Sequence, residues 1–128
     1  METFATFAPK QRDMANKGFQ VIFLQGVEDF LSTLAPKART KILYNVRKVT
    51  DGVIDADLFK KLDGSDDIWE FRTKYDGMEY RLLAFWDKTA NSLVVATHGF
   101  VKKTWAVPAS EIAKAEAIRK EYYESKDK

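Results

Sequence analysis

The sequence predicts an α+β fold: a small, largely antiparallel sheet of about four strands, with an N-terminal helical hairpin and a C-terminal helix, in the order β-αα-βββ-α. Three observations carry this. Asp76-Gly77 sits between two alternating runs, Trp69–Tyr75 and Met78–Trp86, the strongest short-range sign of a two-residue hairpin. Two further β-rich runs, Gly18–Leu24 and Leu93–Val101, lie before and after it. The remaining apolar residues recur at helical spacing. Helices collected on one side of such a sheet make a two-layer domain.

In chain order, Met1–Lys17, with Pro9, shows little periodicity and is expected to be a loose arm. One domain then fills residues 18–124. Its first strand is Gly18–Leu24. Val27, Phe30, Leu31 and Leu34 fall at i, i+3, i+4 and i+7, one buried helix face. Pro36 suits the first position of a second helix, which Ala38, Ile42, Val46 and Val49 carry to Thr50; the two read as an antiparallel hairpin. Asp55–Leu62 is read as a turn or two of helix, and Asp63-Gly64-Ser65-Asp66-Asp67 as loop. After the hairpin and the third run, Pro108 and Glu111 suit the first turn of a final helix with Ile112, Ala115, Ile118 and Tyr122 as its apolar stripe. Residues 125–128 should fray.

Composition bounds the function. A chain of 128 residues that is 45% hydrophobic and 31% charged fits one globular domain with a real core. A formal charge of +2 is too small to identify a nucleic-acid binder, so any functional basicity must be local. The absence of cysteine removes disulfides, thiolate metal sites and cysteine nucleophiles, and a single histidine cannot build a zinc site. There is no phosphate-cradling glycine loop, dinucleotide fingerprint or nucleophile elbow, so no cofactor or metal is expected. No apolar run is long enough to span a bilayer, and Met1–Lys17 lacks the order of a signal peptide; a cytoplasmic protein with no membrane partner is expected.

The Asp76-Gly77 turn sets a register by counting outward: Tyr75 faces Met78, Lys74 faces Glu79, Thr73 faces Tyr80 and Arg72 faces Arg81. Alternation then puts Glu70, Arg72, Lys74, Glu79 and Arg81 on one face, and Trp69, Phe71, Tyr75, Met78, Tyr80 and Leu82 on the other. Two arginines directly opposite repel, so local carboxylates or an anionic ligand must compensate. The second helix carries Lys37, Arg39, Lys41, Arg47 and Lys48 and no acid from Pro36 to Thr50, either a solvated face or a phosphate-facing one.

Leu62, then Trp69-Glu70-Phe71-Arg72, Tyr80-Arg81, His98-Gly99-Phe100-Val101-Lys102-Lys103, and finally Pro108 and Glu111-Ile112 closely resemble the HigB-like branch of the RelE/ParE toxin superfamily. These are phage- and plasmid-associated toxins of bacterial type II toxin–antitoxin modules. The resemblance covers residues 18–124 and is strongest after Leu58. It implies a compact microbial-RNase-like fold and ribosome-dependent endoribonuclease activity on mRNA. It also implies neutralisation by a small antitoxin, often a helix-turn-helix protein. In it Arg81 matches the strand arginine of many superfamily RNases, Arg72 a basic position of the preceding strand, and Lys102-Lys103 the basic end of the last strand.

Metal-free RNA cleavage uses the 2′-hydroxyl as nucleophile, so the enzyme must orient it, accept its proton, neutralise the pentacovalent phosphate and protonate the leaving oxygen. Arg72, Arg81 and Lys102 suit the phosphate, with Lys74 and Lys103 beside them. Glu70 is either the ion-pair partner of these arginines or a general base. His98 is either a hydrogen-bonded core residue or the general acid. Trp105 either stacks a base or buries against the last helix. Arg39, Lys41, Arg47 and Lys48 are candidate contacts to ribosomal RNA. One departure matters: relatives place a tyrosine near the start of the final helix, whereas Tyr122 and Tyr123 lie far along it. Two other readings remain: a ParE-like toxin that binds DNA gyrase without cleaving RNA, and a phage-derived binding module with no catalysis.

Overall fold

The computed structural model describes residues 6–7 and 18–126. Its elements are β1 (Thr6–Phe7), β2 (Gln20–Phe23), α1 (Gln25–Ser32), α2 (Pro36–Thr50), β3 (Phe59–Lys61), β4 (Trp69–Tyr75), β5 (Met78–Trp86), β6 (Leu93–Val101) and α3 (Ala109–Lys126). Among the described residues the strands form one six-stranded sheet in the order β1-β2-β6-β5-β4-β3. The β2–β6 pairing is parallel and every other neighbouring pair is antiparallel.

The four expected strands are present, and two short edge strands join them. Phe59–Lys61 is strand where a helical turn was expected, because Phe59 pairs opposite Phe71 and its ring packs between Trp69 and Phe71 at 4.8 and 4.5 Å. Thr6–Phe7 lies inside the expected loose arm and pairs with Val21 and Ile22 of β2. The rest of that arm, residues 1–5 and 8–17, and the tail residues 127–128 lie outside the described residues.

The expectation of two layers is corrected to three. α1 and α2 cover one face, over Val21, Phe23, Phe71, Tyr80, Leu82, Ala84, Val94 and Ala96. α3 covers the other through Ile112, Ala115, Tyr122 and Tyr123, against Leu83, Phe85 and Val95. A strand covered on both faces loses its polar alternation, and Tyr80 to Phe85 are all buried. The two N-terminal helices also differ from the expected hairpin: each packs on the sheet, α1 on β6 and α2 on β4. Gly99 lets α1 approach β6, because a Cβ there would meet the Phe30 ring. Asn45 ties α2 to β4 by donating to the Thr73 hydroxyl at 3.1 Å. Pro36 occupies the start of α2, as its fixed φ favours.

At its far end α3 is held by Asp87, whose side chain is fully buried. Asp87 accepts from the Tyr122 hydroxyl at 2.6 Å, Lys126 Nζ at 2.7 Å and the Thr89 hydroxyl and N–H at 2.6 and 2.8 Å. Burial raises the Asp87 pKa, but these hydrogen bonds outweigh it and hold the carboxyl well below the usual range.

Candidate functional site

Asp76 (φ 52°) and Gly77 (φ 78°) are both left-handed, the signature of the type I′ turn whose twist matches a hairpin. The β4–β5 register follows: Tyr75 opposite Met78, Lys74 opposite Glu79, Thr73 opposite Tyr80 and Arg72 opposite Arg81. The one irregularity lies on the other side of β5, where Thr97 is an extra residue in β6 between the Leu83–His98 and Ala84–Ala96 pairs. It leaves the arginine pair undisturbed.

Glu70, Arg72, Lys74, Glu79 and Arg81 therefore share the α3 face of the sheet. α3 starts over His98, which meets Glu111, and ends over Asp87. Its body thus covers Leu83 to Asp87 and stops short of Glu79 and Arg81. At that open end a shallow depression of about 280 Å³ is lined by Asp57, Arg72, Lys74, Glu79 and Arg81. Lys102 joins them: its N–H donates to the Glu79 carbonyl at 2.8 Å, which extends the ladder by one pair and sets Lys102 opposite Glu79.

Arg81 is only 2% exposed and its charge is met by two carboxylates. Nε lies 3.0 Å from Glu70 Oε1, and Nη2 donates to Glu79 Oε1 at 2.8 Å. Nη1 donates to the Tyr80 carbonyl. The Glu70 contact is ionic rather than an aligned hydrogen bond: neither Glu70 Oε1 nor Arg81 Nε has an aligned partner among the described residues. Arg72 is more open. Its Nε is 3.9 Å from Glu70 Oε2 and its Nη1 donates to the Ala56 carbonyl at 3.2 Å. Hydrogen bonding from Arg81 outweighs burial and, with the charges of Arg81, Lys102 and Lys74, keeps the Glu79 carboxyl below its ordinary pKa. Local carboxylates thus relieve the repulsion between the two arginines. Four cations face three carboxylates, and the cations with solvent access are Arg72, Lys74 and Lys102.

A cationic patch on an open sheet face, carried by this strand order, is the geometry to set beside known families. The model of the family described as Phage derived protein Gp49-like matches residues 29–120, well over half of the chain. The chain belongs to this Gp49-like family. No curated protein matches it.

The other sequence-predicted residues of this Gp49-like chain are dispersed. His98 is on the same sheet face as Arg81, but it is 2% exposed beneath the start of α3. Its Nε2 lies 2.9 Å from Glu111 Oε1 and its Nδ1 2.9 Å from the Thr97 hydroxyl. Nε2 is placed to donate to the Glu111 carboxylate, and the Thr97 hydroxyl that meets Nδ1 itself donates to the Leu83 carbonyl at 3.2 Å. Burial depresses the His98 pKa and the charge of Lys114 adds to this, against the raising effect of Glu111. Of its two readings, the structure places it in the hydrogen-bonded core. Trp105 is 98% exposed, so of its two readings burial against the last helix does not occur. It follows exposed Lys103 in the loop that leaves β6.

Arg39, Lys41, Arg47 and Lys48 ride on α2, across the sheet from the Arg72–Arg81 cluster, so the fold does not bring them to this site. Sequence reasoning left out three participants. The hairpin register puts Glu79 on the right face, but its pairing with Arg81 is visible only in the structure. Asp57 enters through the turn before β3, and Glu111, read only as a helix-start residue, is the partner of His98. Among the described residues no group of acids and histidines is arranged to hold a metal ion, and no helix is long and apolar enough to cross a membrane.

Proposed function

We propose that this Gp49-like chain is the toxin of a bacterial type II toxin–antitoxin system, a metal-independent endoribonuclease that cleaves mRNA on the ribosome and so stops translation. The observation that supports this reading is the open end of the sheet. There Arg72, Lys74 and Lys102 offer solvent-reachable cations around an ion-paired Arg81. The order of motifs shared with HigB-like toxins supports it from the sequence side.

In this reading Arg72 and Lys102 flank the scissile phosphate and neutralise the charge that builds on its oxygens as the 2′-hydroxyl attacks. Planar Arg72 suits two phosphate oxygens at once, and Lys102 acts as a point charge. Glu79, the carboxylate a substrate reaches, accepts the 2′-hydroxyl proton as that oxygen bonds to phosphorus, and the 5′-oxygen leaves with a proton from the solvent that the open depression admits. Arg81 is a positioning residue: it holds Glu70 and Glu79 in place and ionised. Lys103 and Trp105, on the adjoining loop, hold the neighbouring nucleotide, the tryptophan by stacking. The partners are ribosome-bound mRNA and a small antitoxin that keeps the toxin silent, in a cytoplasmic setting.

Inducible expression in a bacterial host tests this. Wild-type chain should arrest growth, and primer extension should map new cuts in ribosome-bound message. Arg72→Ala with Lys102→Ala should lower cleavage on the order of 10²-fold while the protein remains folded. Full toxicity of that variant refutes the site. Arrest accompanied by DNA damage and intact mRNA refutes the nuclease and favours a gyrase-directed toxin.

A further inference from the structure

α2 presents a second surface, on the sheet face opposite the arginine cluster. Its buried stripe of Ala38, Ile42, Val46 and Val49 points at the sheet. Lys37, Lys41, Tyr44 and Lys48, at i, i+4, i+7 and i+11, form a ridge along the flank of that stripe, spanning about 17 Å at 1.5 Å per residue. Tyr44 is 56% exposed, unusual for a large aromatic side chain. Beside it lies an open groove of about 420 Å³, lined by Pro36, Lys37, Thr40, Lys41, Tyr44 and Tyr75. Met78, 40% exposed and paired opposite Tyr75, continues the apolar strip at the hairpin tip. The groove floor is apolar and its rim is lysine, and α2 contains no acid at all.

We propose that this groove docks a protein partner through a short acidic amphipathic segment, with aliphatic side chains on Tyr44, Tyr75 and Pro36 and carboxylates on Lys37, Lys41 and Lys48. Charge complementarity sets the sign of the partner. The choice of protein over nucleic acid rests on the apolar floor: Pro36, Tyr44 and Tyr75, continued by Met78, suit aliphatic side chains better than a solvated phosphate backbone. Lys41 Nζ lies 5.3 Å and Lys48 Nζ 5.7 Å from the Tyr44 ring centroid. The same contacts hold both lysines at the groove edge, which lowers the ordering cost of binding carboxylates. A helix of three to four turns matches the length of the ridge, the helix-in-groove mode of recognition. The surface is independent of the proposed RNA chemistry, because the sheet separates the two.

Selection from a random-peptide display library on the immobilised full chain tests this. Enriched peptides should be net acidic with aliphatic residues at helical spacing. Fluorescence anisotropy should show their affinity falling about tenfold or more for Tyr44→Asp and for Lys41→Glu with Lys48→Glu, equivalent to about 1.4 kcal/mol or more. Tyr44 is exposed and Lys41 and Lys48 are half-buried with their ammonium groups at the surface, so both variants should unfold near the wild-type temperature. Recovery of no binding peptide, peptides without acidic bias, or affinities unchanged by the variants would each overturn the proposal. So would single-stranded oligoribonucleotide binding that Tyr44→Asp abolishes, which reassigns the groove to nucleic acid.

Discussion

Replacing Arg81 with alanine should damage the fold before it reports on chemistry. The substitution removes the guanidinium that lies 3.0 Å from Glu70 and 2.8 Å from Glu79. The two carboxylates then differ in what they lose. The Glu79 side chain is 39% exposed and re-solvates, so its share of the cost is small. Glu70 is 4% exposed, and its remaining cation, Arg72, is 3.9 Å away. Stranding a buried charge this way costs about 3–5 kcal/mol, a large part of the roughly 5–15 kcal/mol that holds a domain together. The midpoint of thermal unfolding should fall by about 10–20 °C. Urea unfolding followed by circular dichroism measures the free-energy loss, and a thermal scan measures the midpoint. Because the cost is the stranded charge rather than the loss of an intrinsically strong pair, Glu70→Gln with Arg81→Met should recover most of it. A single Arg81→Ala variant within about 1 kcal/mol of wild type, or a double variant as unstable as the single one, refutes the buried-charge reasoning.

Three further outcomes follow from the same geometry. Arg72→Ala removes a side chain with one hydrogen bond and a loose ion pair, so it should cost less than about 1 kcal/mol in urea while lowering RNA cleavage, which separates function from folding. Asp87→Asn should loosen the C-terminal turns of α3, seen as faster amide exchange near Tyr122. Because Asp87 titrates below its ordinary 3.8 when folded, its contribution is complete above that value and is lost as pH falls through the folded pKa, so the variant should also flatten the acid limb of the stability curve. His98 is depressed from 6.5, so the unfolded chain binds the proton first and stability falls as pH drops below 6.5; His98→Gln should remove that part of the slope in urea titrations at successive pH values.

The parts of the fold that could be read in advance are those set by local rules. A type I′ turn fixes register residue by residue, so Asp76-Gly77 was enough to place Arg72 opposite Arg81. Pro36, the i, i+3, i+4 spacing of α1 and the β-branched run of β6 likewise depend on neighbours in sequence. What escaped was tertiary. β3 has three residues and no alternation of its own; it is a strand because Trp69 and Phe71 present an edge to Phe59. The second covered face was written in the chain as Leu82-Leu83-Ala84-Phe85, a run too apolar for a half-solvated strand, yet alternation in the hairpin drew attention to one face only. In the site, pattern reading found the face and offered Glu70 as an ion-pair partner of the arginines, but not the pairing of Glu79 with Arg81. Whether Glu70 and Glu79 reach Arg81 depends on rotamers, and whether Trp105 is covered depends on where α3 starts.

The position of α3 decides more than packing. Had it begun one or two turns earlier on the sheet, its first residues would lie over Arg81 and the depression would be closed. Instead the His98–Glu111 contact fixes its start at the level of Leu83, and Asp87 fixes its end. The extra residue Thr97 contributes, since it shifts the alternation so that His98 faces α3, and its hydroxyl lies 2.9 Å from the ring. The lone histidine therefore anchors the start of α3 through Glu111, away from the cationic cluster. This gives a physical reason for a buried histidine two pairs along the ladder from Arg81. It also separates two effects of its loss, because a shifted α3 would cover Arg72 and Lys102 even in a chain that remains folded.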